Sequence, residues 1–173
     1  MKDIMNMMDI IEYGFKENGL NILDNNPNKW ENDFNSFYYL QTPEELLNSK
    51  CGVCWDQVEL ERYLFKNNNM SCKSYFVYIS SNDSLPSHAF ITCKDSNKYY
   101  WFEHSWAKYK GIHEYDTETE LLKDVVSKFI FSHNDIIIDS NFFLYEYNKP
   151  EYHISCDEFY KYIETQKQID INI

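Results

Sequence analysis

The sequence predicts an α+β fold, with helices at the N-terminus followed by an antiparallel β-sheet. Helical patterns with start signals lie in the first 66 residues. Three consecutive β-rich runs, separated by short turn clusters, follow between residues 74 and 106. Helices and strands therefore come in blocks, which argues against alternating βαβ units. We expect one domain over residues 1–173, with a helical part over 1–66 and a sheet-containing part over 67–173.

The N-terminal part is predicted to hold three helices and a long loop. An amphipathic helix is indicated by the start, MKDIMNMMDIIEYGF, which mixes acids with apolar residues. Residues 21–37 are rich in Asn and Asp, a composition that favours a surface loop. A short helix should follow where Thr42 is the N-cap, Pro43 is the first helical residue and Glu45 completes a capping box. Apolar residues at helical spacing predict another helix over 54–66.

The sheet is predicted from runs that are rich in β-branched and aromatic residues. Three consecutive antiparallel strands are expected for SYFVYIS, HAFITCK and KYYWFEHSW. A capped helical pattern covers residues 117–133, a further strand is predicted for NFFLYEY, and a closing helix for residues 155–166.

Composition and charge exclude several classes of protein. The chain has 173 residues, of which 43% are hydrophobic and 18% aromatic, enough to bury a core without a disulfide or a structural metal. The formal net charge of −12 repels a phosphate backbone and an anionic bilayer, so we expect neither nucleic acid nor membrane as partner. The start has no small-residue cleavage site and the five cysteines are odd in number, which predicts reduced thiols in a cytoplasmic protein.

Cys54 stands where the helix of residues 54–66 should begin. Unpaired backbone N–H groups and the positive end of the helix dipole favour a thiolate at such a position. Nucleophilic attack on an acyl group needs a base within hydrogen-bond reach of the thiol, and the base needs a third group that holds its ring in the right tautomer. His88 begins one predicted strand and Glu103 lies in the strand that should pair with it, so these two residues are the candidates.

The length of the hairpin loop decides which acid His88 meets. A two-residue loop places His88 opposite Glu103. A four-residue loop over 95–98 places Ser105 opposite His88 and keeps Glu103 on the same face as a diagonal neighbour. An odd loop would swap the faces and offer His104. An even loop therefore predicts that Glu103 orients His88.

The order GVCWD, HAF and WFEHSW resembles the transglutaminase-like superfamily, part of the papain-like cysteine fold. That resemblance covers residues 50–106 and implies a catalytic triad of Cys54, His88 and Glu103. KCGVCW is also similar to papain-type proteases, but the short spacing from cysteine to histidine favours the transglutaminase-like branch. The implied activity is a hydrolase or acyltransferase that forms a thioester with a peptide, protein or small acyl or amide substrate. It requires no cofactor and no metal.

One position departs from the family pattern. The family usually carries Asp as the third triad member, commonly in a motif like D-P-T-W, whereas this chain has Glu103 followed by His104. A longer carboxylate can orient an imidazole after a geometric adjustment. The departure leaves open a catalytically inactive module that binds peptides.

The two nearby cysteines permit another class of protein. Cys51 and Cys54 form a C-x-x-C pair, as in a zinc half-site or a redox protein. Zinc needs two further ligands, and no second C-x-x-C or H-x-x-x-H is present. A redox pair belongs in a βαβ setting, while the pattern before Cys51 is helical.

The other candidate side chains receive simpler interpretations. Asn48 precedes Cys54 at the spacing where papain-like enzymes carry an oxyanion-hole glutamine, so it is a candidate oxyanion donor. Asp56 is expected to be a first-turn acid that the helix dipole favours, and not a catalytic group. His104 is expected at the surface. Cys51 is expected to be structural or a bystander, and Cys72, Cys93 and Cys156 are expected as small buried hydrophobic residues. A surface position is also expected for His113, His133 and His153.

Overall fold

The computed structural model describes residues 1–80, 85–133 and 141–172. Within these ranges the chain forms seven α-helices, α1 to α7: Lys2–Met8, Ile22–Asn25, Pro27–Phe37, Pro43–Ser49, Cys54–Asn67, Glu118–Ser132 and Cys156–Glu164. The same ranges contain eight strands, β1 to β8: Lys16–Glu17, Leu20–Asn21, Ser71–Ser80, Ser87–Asp95, Lys98–Glu103, Gly111–Tyr115, Asn141–Tyr147 and Lys167–Gln168.

Six of these strands form one antiparallel sheet in the order β6-β5-β4-β3-β7-β8. The short strands β1 and β2 pair separately. Because successive strand residues face opposite sides, β3 contributes to two cores. On one side Phe76 packs in the cluster that contains Val58 of α5, and on the other side Tyr75 packs with Val125 of α6. This mixture of helices and antiparallel sheet confirms the predicted α+β class.

The predicted loop over residues 21–37 is wrong, since most of this segment is helical as α2 and α3. The Asn21 side chain accepts a hydrogen bond from the Leu23 backbone N–H, and the Asn26 side chain accepts one from Lys29. These asparagines therefore cap helices, whereas their abundance suggested turns. The aromatic residues Trp30, Phe34 and Phe37 are spaced for one helix face, and they pack against the main core.

Several boundaries differ from those predicted. The N-terminal helix α1 covers only Lys2–Met8 and does not reach Tyr13. The capping box of Thr42 and Glu45 is present as predicted. The strand predicted through Trp106 ends at Glu103, and strands β6 and β8 were missed because they are short. Residues 81–84 of the predicted turn SNDSLPS lie outside the described residues.

The hairpin between β4 and β5 has the register that was predicted for a four-residue loop over residues 95–98. Lys94 pairs with Tyr99, and Asp95 and Lys98 also pair, so the turn closes over Ser96 and Asn97. Ser96 adopts a left-handed backbone conformation there, with φ 55°. Continuing this register makes Glu103 a diagonal neighbour of His88 on one face of the sheet.

No helix in the described parts of the chain is long and apolar enough to cross a lipid bilayer.

Candidate active site

Cys54 is the first residue of α5, and its position is fixed by a buried carboxylate. Val53, the N-cap residue, has no side chain that can cap a helix. Asp56 in the first turn accepts a hydrogen bond from the Val53 backbone N–H at 2.9 Å. It also accepts bonds from the Gln41 backbone N–H at 2.9 Å and the Tyr38 hydroxyl at 3.2 Å. Burial raises the pKa of Asp56 to about 7, and Asp56 lies in the first turn of α5 as predicted, where it acts as a buried structural acid.

His88 is the second residue of β4 and is held by Glu103. The distance from His88 Nε2 to Glu103 Oε2 is 2.8 Å. Because Nε2 is engaged by Glu103, Nδ1 is the ring nitrogen left to exchange a proton with the neighbouring Cys54 thiol. Burial alone would lower the pKa of His88, but the Glu103 carboxylate and Cys54 outweigh it and raise that pKa to about 10. The ring therefore holds its proton at neutral pH.

Glu103 is fully enclosed, and its carboxylate accepts hydrogen bonds from four donors. Besides His88, the Oε2 atom accepts from Trp101 Nε1 at 3.1 Å. The Oε1 atom accepts from the Trp106 backbone N–H at 2.7 Å and from the Ser105 hydroxyl at 3.1 Å. Burial alone would raise the pKa of Glu103, but the charge of His88 and these donors hold it below its ordinary value. A carboxylate of this kind fixes one orientation of the imidazole.

The three sequence-predicted residues thus lie together at one end of the sheet. The rings of His88 and Trp106 meet edge to face, with centroids 5.1 Å apart, so Trp106 covers one side of the imidazole. Cys54 is only 5% exposed and opens into a cleft of about 350 Å³ that Tyr13, Trp30, Phe34 and others line. A second cleft of about 200 Å³ contains His88 and Trp106. The arrangement is suited to nucleophilic attack with proton transfer.

His104 is buried, so its expected surface position is wrong. It points away from Glu103, and its Nδ1 lies 2.7 Å from the Gln57 side-chain oxygen on α5. The Gln57 amide donates in turn to the Gly52 carbonyl at 2.9 Å. His104 therefore supports the backbone that leads into Cys54, and burial lowers its pKa.

Gly52 has no room for a side chain. A Cβ atom there would lie 2.5 Å from Leu46 Cδ1 and 2.8 Å from Asp56 Cβ. We expect Gly52→Ala to lower the free energy of unfolding by about 1–3 kcal/mol, because overpacking forces neighbouring atoms to shift. Alkylation of Cys54 by iodoacetamide should slow in parallel, since the shift moves the cap of α5. Urea unfolding followed by mass-spectrometric labelling measures both effects. Unchanged stability and unchanged labelling would contradict the close packing.

Asn48 is exposed on α4. Gln41, which the sequence did not single out, is buried instead: its amide donates to the Cys51 carbonyl at 3.0 Å and its oxygen accepts from the Ser49 hydroxyl at 2.9 Å. Both bonds hold the turn before Cys54. The side chain of Gln41 therefore has a structural role in this loop.

The remaining cysteines are free thiols. Cys51, Cys93 and Cys156 are buried, and Cys72 is half-buried. Across the described residues, no three His, Cys, Asp or Glu side chains converge as metal ligands usually do. Tyr13 was missed as a candidate because it was assigned to the N-terminal helix. No local pattern reveals it, since its place depends on a contact distant in sequence.

Comparison with family models gives a match. A family model described as a transglutaminase-like domain matches residues 4–130. The match confirms the resemblance that was based on GVCWD, HAF and WFEHSW, and it extends that resemblance to the N-terminal helices and to α6. Neither the curated proteins nor the solved structures gave any match.

Proposed function

Since this chain belongs to the transglutaminase-like family, we propose that it is a cysteine-nucleophile hydrolase or acyltransferase that acts on amide or acyl bonds. The observation that carries the proposal is the contact of 2.8 Å between His88 Nε2 and Glu103 Oε2, which turns the other ring nitrogen toward Cys54 at the start of α5. In this proposal Cys54 is the nucleophile, His88 the proton carrier and Glu103 the residue that orients it.

The proposed reaction has two halves. The Cys54 sulfur attacks the carbonyl carbon, and the π electrons of the carbonyl move to its oxygen. When the tetrahedral intermediate collapses, the bond to the leaving group breaks and His88 Nδ1 gives that group a proton. The product is a thioester on Cys54. Water or an amine then attacks the thioester while His88 takes its proton, and the thiolate and the protonated imidazole are restored.

The clefts support a substrate with an acyl group on the Cys54 side and a leaving group on the His88 side. Aromatic side chains dominate the Cys54 cleft, which suits a peptide, a protein segment or a small amide with apolar groups. No cofactor takes part in this reaction. The net charge of −12 favours these partners over nucleic acid or a membrane, and free thiols suit the cytoplasm.

Competitive alkylation tests the nucleophile directly. Exposure alone would make the half-buried Cys72 the fastest thiol to react, because Cys54 is only 5% exposed. Burial, however, raises the pKa of Cys72 and raises that of Cys51 to about 11, which leaves little thiolate at either site. We therefore expect iodoacetamide at neutral pH to modify Cys54 first. Peptide mapping after limited labelling measures the order.

Three other outcomes have distinct meanings. If Cys72 or Cys51 is labelled before Cys54, the assignment of the nucleophile is wrong. If Cys54 reacts no faster than a free thiol in solution and an activated acyl ester leaves no thioester, the inactive peptide-binding module replaces the enzyme. Stoichiometric zinc lost on mutation of Cys51 and Cys54 would instead support the C-x-x-C metal protein.

A further inference from the structure

Tyr13 is attached by backbone hydrogen bonds to the segment that carries Cys54. The neighbouring residue Glu12 donates its backbone N–H to the Lys50 carbonyl at 2.9 Å and accepts from the Gly52 N–H at 3.0 Å. This parallel bridge sets residue 13 beside the residues that lead into Cys54. Tyr13 is therefore placed next to the nucleophile by the main chain.

The segment after Tyr13 is also fixed. Asn21 Nδ2 donates to the Tyr13 carbonyl at 3.0 Å. Gly14 has a φ of 138°, and a Cβ atom there would lie 2.1 Å from the Asn21 side-chain oxygen. On the other side the Tyr13 ring meets Trp30 edge to face, with centroids 6.4 Å apart. These contacts restrict the direction of the tyrosine side chain.

The Tyr13 side chain lines the site while 42% of the residue stays exposed. Tyr13 is one of two residues that line both clefts, the one that contains Cys54 and the one that contains His88. Burial raises the pKa of Tyr13 well above its ordinary value, and the neighbouring Cys54 thiol and Asp56 carboxylate raise it further. The hydroxyl thus keeps its proton and remains a hydrogen-bond donor.

The boundary between the two clefts is where a scissile carbonyl must lie. Cys54 attacks the carbonyl carbon from one cleft, and His88 protonates the leaving group in the other. The developing oxyanion then needs donors beyond the backbone N–H of Cys54. Two other polar side chains have different partners: the Ser105 hydroxyl, which also lines the second cleft, donates to Glu103 at 3.1 Å, and the Gln41 amide donates to the Cys51 carbonyl at 3.0 Å.

We infer that the Tyr13 hydroxyl donates a hydrogen bond to the oxyanion formed when Cys54 attacks an acyl carbon. This makes Tyr13 a further catalytic residue of the reaction proposed above, and the inference rests on that proposed function. The role is filled by a residue from the N-terminal segment and not by Asn48 on α4.

A pair of reactions on the same thiol tests the role. Acylation by an activated ester passes through an oxyanion, whereas alkylation by iodoacetamide displaces iodide and forms none. Tyr13→Phe removes only the hydroxyl. We expect it to slow acylation of Cys54 by about 10²-fold, as for loss of one oxyanion donor, while alkylation changes by less than about threefold. Tyr63→Phe, which alters an exposed tyrosine on α5, is the matched control and should change neither rate.

The possible outcomes separate this inference from the proposed function. If the wild-type chain is alkylated at Cys54 but never acylated, the proposed function fails. If the wild type is acylated and Tyr13→Phe is acylated equally fast, only the role of Tyr13 is refuted. An equal loss of both reactions in Tyr13→Phe also refutes it, because the hydroxyl would then act on the thiol itself. Urea unfolding of the variant shows whether a loss reflects the fold.

Discussion

Cys54→Ala is expected to slow acyl transfer from an activated ester by at least about 10⁴-fold, because the other four cysteines lie outside the proposed triad. The cysteine three residues earlier offers a matched control. Cys51→Ala makes the same chemical change at a fully buried thiol outside the proposed triad. It should cost about 1 kcal/mol of stability through a small cavity and leave the acyl-transfer rate within about threefold of wild type.

The measurement is the release of the ester's alcohol together with the mass of the acylated chain. A thioester adduct should appear on the wild type and on Cys51→Ala and be missing from Cys54→Ala. Persistence of the adduct in Cys54→Ala, with mapping to another residue, would show that the nucleophile lies elsewhere. An adduct lost only in Cys51→Ala would point to the other cysteine of the pair.

Glu103→Gln is expected to lower the rate of acylation at neutral pH by about 10³–10⁴-fold. A glutamine amide facing His88 Nε2 donates a hydrogen bond where the carboxylate accepts one. The proton of a neutral ring then moves to Nδ1, the nitrogen that must exchange a proton with Cys54 and the leaving group. Glu114→Gln on β6 is the control, since its side chain is exposed and its ion pair with Lys98 contributes little.

The pH dependence gives a second readout for Glu103. The nearby carboxylate raises the pKa of His88 to about 10, so the wild type should keep its protonated imidazole across neutral pH and lose activity only on the alkaline side. Removing the negative charge lowers that pKa. The alkaline limb of the rate profile should therefore move to lower pH in Glu103→Gln and stay in place in Glu114→Gln. An unmoved limb would mean that Glu103 does not set the charge of His88.

The ion pair of His88 and Glu103 makes the free energy of unfolding depend on pH. His88 has a higher pKa in the folded chain than in the unfolded chain, where it is about 6.5. Its contribution to the free energy of unfolding is therefore complete below about pH 6.5 and is lost as pH rises toward 10. Glu103→Gln should remove this dependence.

Local sequence signals predicted the elements that present the candidate site. The capping box of Thr42 and Glu45 predicted α4, and the spacing of apolar residues predicted α5 with Cys54 at its start. The β4–β5 hairpin needed only an even loop to place His88 and Glu103 on one face. Such signals involve residues close together in the chain, so the elements can be predicted before the tertiary packing is known.

The failures share a cause. Asn21 and Asn26 were interpreted as turn residues because caps and turns use the same side chains, and packing of the nearby aromatic residues decided for helices. His104 was assigned to the surface because its partner, Gln57, lies on α5 far earlier in the chain. In both cases packing against segments distant in sequence decided the outcome.

Periodicity and strand parity depend on neighbouring residues, so local patterns predicted the α+β class, the start of α5 at Cys54 and, for an even loop, the shared face of His88 and Glu103. The groups that surround these residues depend on tertiary packing. The four donors on Glu103, the buried cap from Asp56 and the position of Tyr13 arise where segments distant in sequence pack together. Such contacts form only when long stretches of chain close around the two cores. Patterns among neighbouring residues therefore do not predict them.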